Sequence, residues 1–198
     1  MADANKVRFG LNKVHIAVIT GYDDDDLPIY DTPFRLPGAV SLSMDASGEP
    51  SSFYADNGVY YVISNNAGYE GELEIALVTT EFATKILGEI QDAADGVLVE
   101  TTNAEVTHFA MMFEFEGDKK KIRHVFYDCT ATRTAVEGDT IEDETEVKTE
   151  TLSLTASALA NGVVKARTCE NTTDDVFDAW YDAVYATPVA ADYDGTAS

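Results

Sequence analysis

The chain has 198 residues, enough for one domain, and sets 36 acids against 13 bases for a formal charge of -23 at pH 7. A surface this negative repels other polyanions, which argues against a protein that grips nucleic acid. Hydrophobic residues make up 45%, which places the chain among globular rather than disordered sequences.

The bases are unevenly placed. Between Arg35 and Lys119 only Lys85 is basic, while fifteen Asp and Glu fall in the same stretch. Cys129 and Cys169 stand forty residues apart with no CxxC or Cys/His pattern, so they read as thiols in a reducing cytoplasm. The first residues, MADANKVRFG, contain no apolar signal core, and no apolar run approaches the ~18 residues of a membrane helix. No membrane association is expected, and no cofactor or metal.

Residues 14–20, VHIAVIT, alternate and are β-branched, which predicts a strand. GYDDDD at 21–26 breaks it, since adjacent aspartates repel into a solvated loop and lack the ligand spacing of a calcium loop. Val40, Leu42 and Met44 at period two predict a second strand with one apolar face. Residues 45–58, DASGEPSSFYADNG, are rich in turn formers and read as a long loop carrying Phe53 and Tyr54. VYYVIS at 59–64 reads as a strand. Leu73, Ile75 and Leu77 then alternate with Glu72, Glu74 and Ala76, giving one core face and one acidic face.

A helix follows, capped by Thr79 or Thr80, with Phe82, Ile86 and Ile90 on one stripe and Gly96 at its exit. Residues 107–128 predict a hairpin in which Phe113 and Phe115 alternate with Glu114 and Glu116 around a Gly117-Asp118 turn. Lys119, Lys120, Lys121 and Arg123 read as a solvated hairpin tip that protects an edge. Residues 137–150 hold seven acids and one lysine and form a solvated loop before a Thr-rich strand. A short strand spans 163–168. A second helix begins near Thr172 or Thr173, presents Val176, Phe177, Trp180 and Val184, and ends at Pro188. Residues 188–198 read as a mobile tail.

His15, His108 and His124 all fall in strand-like segments with no nucleophile motif beside them. The chain contains no GxGxxG, P-loop, GxSxG or HExxH. An enzyme is therefore not expected.

Five segments, in order, resemble the major tail tube protein of long, non-contractile tailed phages of Gram-positive bacteria. They are Val7 to Leu11 (VRFGL), Leu36 to Asp45 (LPGAVSLSMD), Phe53 to Val78, His124 to Gly138 (HVFYDCTATRTAVEG) and Thr149 to Ala156 (TETLSLTA). None is a catalytic signature; the specificity lies in their joint order. The DDDD run and the residues after Pro188 are not part of the pattern.

The resemblance implies a mainly β (α+β) protein of one domain, residues 1–198: a β-sandwich subunit with one flanking helix, a C-terminal helix and a long inter-subunit loop at 45–58. It implies a structural virion protein, made in the host cytoplasm, that self-assembles into hexameric rings stacked as a tail tube. Further copies of itself, a tape measure protein and tail terminator or tail tip proteins are the implied partners. Double-stranded DNA is a passenger that must not stick. By alternation Glu72, Glu74, Glu114 and Glu116 lie on the non-core faces of their strands and are candidates to face the lumen. Phe53, Tyr54, Tyr60 and Tyr61 are candidate inter-subunit contacts, because aromatics dominate interface cores. The alternatives are a β-sandwich carbohydrate-binding module with Tyr60, Tyr61 and Tyr69 as a sugar platform, and the tube protein of a phage-tail-like bacteriocin.

Overall fold

The computed structural model describes residues 5–48, 51–55, 57–63, 67–138, 140 and 148–186. The chain is mainly β. In order it forms β1 (Arg8–Tyr22), β2 (Pro28–Tyr30), β3 (Phe34–Arg35), β4 (Ala39–Ser47), β5 (Ser51–Ala55), β6 (Gly58–Ile63) and β7 (Gly68–Ile75). Helix α1 (Thr80–Lys85) follows, then β8 (Ile90–Gln91), β9 (Leu98–Val99), β10 (Phe109–Gly117), β11 (Ile122–Ala131), β12 (Glu150–Ser157), β13 (Lys165–Arg167) and α2 (Asp174–Asp178). A 3-10 turn at Ala179–Tyr181 continues α2.

Among the described residues nine strands join one antiparallel sheet along the path β2-β1-β10-β11-β12-β7-β4. Strand β3 adds to β1, while β12 and β13 share one edge of β11. The expected two layers are thus the two halves of one sheet, which curls until β1 and β4 approach each other. Curling follows from the right-handed twist of strands, and bulges sharpen it. Strand β1 bulges against β10 between Phe9 and Leu11 and again between Asn12 and His15, where Gly10 and Lys13 take positive φ.

The concave side encloses the main core: Ile16 of β1, Phe109, Met111 and Phe113 of β10, Phe126 and Cys129 of β11, Leu152 and Leu154 of β12, and Leu73 and Ile75 of β7. Helix α1 plugs this core with Phe82, Ile86 and Leu87, and the Phe82 ring meets Phe109 edge-on at 5.8 Å. Thr79 caps the helix by accepting from the Phe82 N–H. The helix stops earlier than its stripe suggests. Gly88 takes φ +75°, and a Cβ there would stand 2.7 Å from the Glu105 carbonyl oxygen. Gly88 rather than Gly96 therefore provides the exit, and Ile90 lies exposed on β8.

The convex side of β1, β10 and β11 is covered too. Ala17, Ala110, Met112, Val125 and Tyr127 pack beneath Leu159 and Trp180. The C-terminal helix is shorter than expected. α2 ends at Asp178 and tightens into the 3-10 turn, which sets Phe177 and Trp180 on one line. Trp180 then inserts, and its Nε1 donates to the His124 carbonyl at 3.4 Å.

Strand β4 shows how a bulge overrides alternation. Its register with β7 shifts between Ala39 and Ser41, so Ala39, Leu42 and Met44 meet the core while Val40 turns out to solvent. Leu77 lies past the end of β7 and is likewise exposed.

Candidate functional site

Among the described residues the convex face of β4, β7 and β12 has no covering segment comparable to the C-terminal one. Inward residues Leu73, Ile75, Leu152, Leu154 and Ala156 hold the three strands on the core. Period two then sends every second residue outward. The registers align these outward residues into rows: Ser41–Glu74–Thr151, Ser43–Glu72–Ser153 and Asp45–Glu70–Thr155. A central column of three glutamates is flanked on both sides by short hydroxyl or carboxylate side chains. The three strands contain no Lys or Arg. Ser41 Oγ donates to Glu74 Oε2 at 2.8 Å and Thr149 Oγ1 to Glu74 Oε1 at 2.7 Å. These hydrogen bonds, Thr149's first, hold the Glu74 carboxyl below the usual carboxylate range.

Strands β4 and β7 approach each other closely beneath this face. At Gly71 a Cβ would stand 1.9 Å from the Ser43 carbonyl oxygen, so only glycine fits between the strands. The result is a shallow hollow lined by Ser43, Asp45, Glu70, Glu72, Ser153 and Thr155.

The four candidate acids therefore divide. Glu72 and Glu74 share the open face. Glu114 does not: it is 0% exposed, and the expectation that alternation leaves it in solvent fails. Its outward face lies under the C-terminal segment, which the local pattern of β10 does not reveal. There Glu114 accepts from Lys121 Nζ at 2.9 Å and from Arg123 Nε at 3.2 Å, while Tyr181 Oη lies at 3.4 Å and Lys13 Nζ at 3.7 Å. Burial pushes its carboxyl up, but the Lys121 hydrogen bond and the charges of Lys13 and Lys121 outweigh it and hold the group below the ordinary range. Glu116 sits at the margin of this cluster, half-buried and 2.8 Å from Lys121 Nζ.

The same cluster corrects the reading of the basic run as a solvated tip. Arg123 is buried, lies 3.8 Å from the Phe177 ring centroid and donates through Nη1 to the Phe177 carbonyl. Lys120 lies over the same ring at 4.5 Å. These cations clamp α2 onto the sheet.

Residues 45–58 are not one loop. Strand β4 runs to Ser47, and β5 begins at Ser51 and pairs with β6, Phe53 opposite Tyr61. Hydrophobic β-branched and aromatic residues on both sides of Asn57-Gly58 make this a hairpin. It forms its own two-stranded sheet between β4 and β7. Tyr60 is 72% exposed and Tyr61 63%. Neighbours on a strand point to opposite faces, so the hairpin presents a largely exposed tyrosine on each. The hairpin is an arm. Phe53 and Tyr54 lie on β5, but their side chains, like residues 188–198, are outside what the structure describes. The sugar-platform alternative loses its geometry: Tyr60 and Tyr61 face apart, and Tyr69 is half-buried edge-on to Phe126 at 5.2 Å.

Sequence reasoning missed Asp45 and Glu70. Glu70 continues the Glu72, Glu74 alternation and was legible; Asp45 joins only through the β4–β7 register. Among the described residues no cluster of three or more His, Cys, Asp or Glu side chains is arranged to hold a metal.

No protein-family model matches the chain, and no curated protein matches it. Among solved structures, the tube-terminating cap of the anti-feeding prophage, determined by cryo-electron microscopy, aligns with 85% of this chain and 97% of its own. The identity is 10% and the TM-score 0.49, a likeness too slight to assign a fold family or a function.

Proposed function

We propose that the chain is the structural subunit of a phage-type tail tube. Copies assemble side by side into hexameric rings, rings stack, and the β4–β7–β12 face lines a lumen through which double-stranded DNA passes. The observation that carries this reading is the glutamate column, Glu70, Glu72 and Glu74, on a face whose three strands contain no Lys or Arg. Such a wall repels phosphates within roughly one Debye length, about 8 Å at physiological salt. Its hydroxyl rows keep it hydrated, so nothing apolar invites a base to stack.

Two further features support assembly. Strand β4 ends the sheet path, so one of its edges pairs with no strand among the described residues and is open to a neighbour. The β5–β6 arm presents tyrosines on both faces. Three strands from each of six copies give about eighteen, a number that leaves an open aqueous channel. Tape measure, terminator and tip proteins are partners in this reading, which also fits a tail-like bacteriocin particle.

Negative-stain electron microscopy of the concentrated protein tests it. Rings or tubes with a central hole are expected. A chain that stays monomeric at high concentration overturns the proposal.

A further inference from the structure

Strand β1 has a charged polarity. Its first residue, Arg8, pairs with Gly117 beside the β10–β11 turn. Lys6 lies just before it, and its N–H donates to Asp118 Oδ1. Asn5 Oδ1 accepts from the N–H groups of Lys119 and Lys120, which fixes the turn against the strand. Arg167 of β13 joins them across a hollow of about 210 Å³ that Asn5, Lys120, Lys121, Thr168 and Cys169 also line. Six bases thus gather at one end: Lys6, Arg8, Lys119, Lys120, Lys121 and Arg167. The acids among them are Glu114, Glu116, Asp118, Glu170 and Asp174; Lys121 already engages Glu114 and Glu116, and Lys120 engages Asp174. In a chain of charge -23 this end carries more bases than acids.

The last residue of β1, Tyr22, leads into Asp23–Asp26, all four exposed. Asp23 Oδ1 accepts from the N–H groups of Asp25 and Leu27, so the turn is held in shape and presents Asp24, Asp25 and Asp26 outward. The sequence has no base between Lys13 and Arg35. Fifteen strand residues separate the two ends, on the order of 40–50 Å. That is several Debye lengths, so the ends of one copy do not neutralise each other.

We propose that the basic end of one copy seats on the aspartate turn of a second copy, forming the axial contact between stacked rings. The inference rests on the tube reading for its setting, but it concerns a different surface from the lumen wall. Two unlike patches make a heterologous contact, and with the two patches at opposite ends of β1 it propagates along an axis where its rotation does not close. Charge complementarity also fixes the direction, because like ends repel. Every copy therefore points the same way.

Charge reversal on the full chain tests this. One variant carries Lys6→Glu and Arg167→Glu; the other carries Asp24→Lys and Asp25→Lys. Asp23 is kept, since it shapes its turn. Assembly is read by sedimentation velocity and negative stain. Each variant alone is expected to form rings but to need about tenfold or more protein to form tubes. A mixture of the two variants, and a chain carrying all four changes, are expected to stack again, because opposite ends meet once more. Stacking by either variant as in the wild type overturns the inference while leaving the tube reading intact, as does loss in both with no rescue. A wild-type chain that forms neither rings nor tubes removes the tube reading, and this inference with it. Retention of duplex DNA by the wild type, lost on Lys6→Glu with Arg167→Glu, would assign the basic end to nucleic acid and also overturn it.

Discussion

Glu114 and Arg123 stand directly opposite each other across the β10–β11 pair, Arg123 Nε donating to Glu114 Oε2 at 3.2 Å beneath the C-terminal segment. Arg123 also engages the Phe177 carbonyl and ring, and Tyr181 reaches Glu114. The pair therefore fastens α2 and the following turn to the sheet. Glu114→Ala leaves Arg123 buried without its carboxylate, and a loss of about 3–5 kcal/mol is expected in denaturant unfolding. A loss below about 1 kcal/mol would show that the pair does not hold the segment.

Acid sensitivity follows from two groups with opposite assignments. His124 is buried, stacked parallel to Phe113 at 5.1 Å, and its Nε2 has no hydrogen-bond partner among the described residues. Burial first, then the charges of Arg167, Arg8 and Lys165, lower its pKa to about 4. The unfolded chain takes the proton near pH 6.5 and the folded chain does not, so stability falls as pH drops from about 6.5 to 4, by roughly 3 kcal/mol. Glu114 is depressed as a carboxylate. Its contribution is complete above the ordinary carboxylate value and disappears as pH falls through its lower folded value. His124→Phe is expected to flatten the first stage only, measured as Tm against pH relative to the wild type. An unchanged slope between pH 6.5 and 4 would refute the assignment.

Neutralising the glutamate column separates charge from fold. Glu70, Glu72 and Glu74 are outward, so replacing all three with glutamine is expected to shift stability by less than about 0.5 kcal/mol per site. Tubes should still form, and DNA ejection should slow; replacement by lysine should trap DNA outright. Wild-type ejection through intact lysine tubes would remove the lumen role from this face.

The arm can be tested without disturbing the nine-stranded sheet. Tyr60→Ser with Tyr61→Ser removes two exposed rings. Monomer Tm should stay unchanged while ring formation weakens, each tyrosine contributing about 2 kcal/mol if it anchors a neighbour. Rings forming at the wild-type concentration would exclude the arm as an anchor.

Gly71 tests the close approach of β4 and β7. A Cβ would collide with the Ser43 carbonyl and Met44 Cα, both backbone atoms that cannot swing aside. Gly71→Ala is expected to cost about 1–3 kcal/mol and to separate β4 from β7. Hydrogen exchange confined to β4 would locate the damage; an unperturbed β4 would count against it.

Much of this was legible in the sequence because it is local. Alternation at 69–75 and 150–157 fixes which residues face the core, whatever the strands pair with. Thr79 and Thr173 mark two helix starts, and the Phe109–Ala131 hairpin follows from its turn. The sequence likewise determined the acidic excess and the scarcity of bases between Arg35 and Lys119. Only the tertiary structure decided where each charge ends up. Glu72 and Glu114 have the same alternating pattern, yet one is in solvent and the other is sealed beneath Tyr181. Burial depends on what packs over a face, and here the cover comes from more than sixty residues away in the chain. Bulges made the second decision: a single extra residue at Val40 reverses the facing that period two predicts, and no local propensity marks it. Register made the third, assembling Asp45 with Glu70 and the first residue of β1 with the β10–β11 turn.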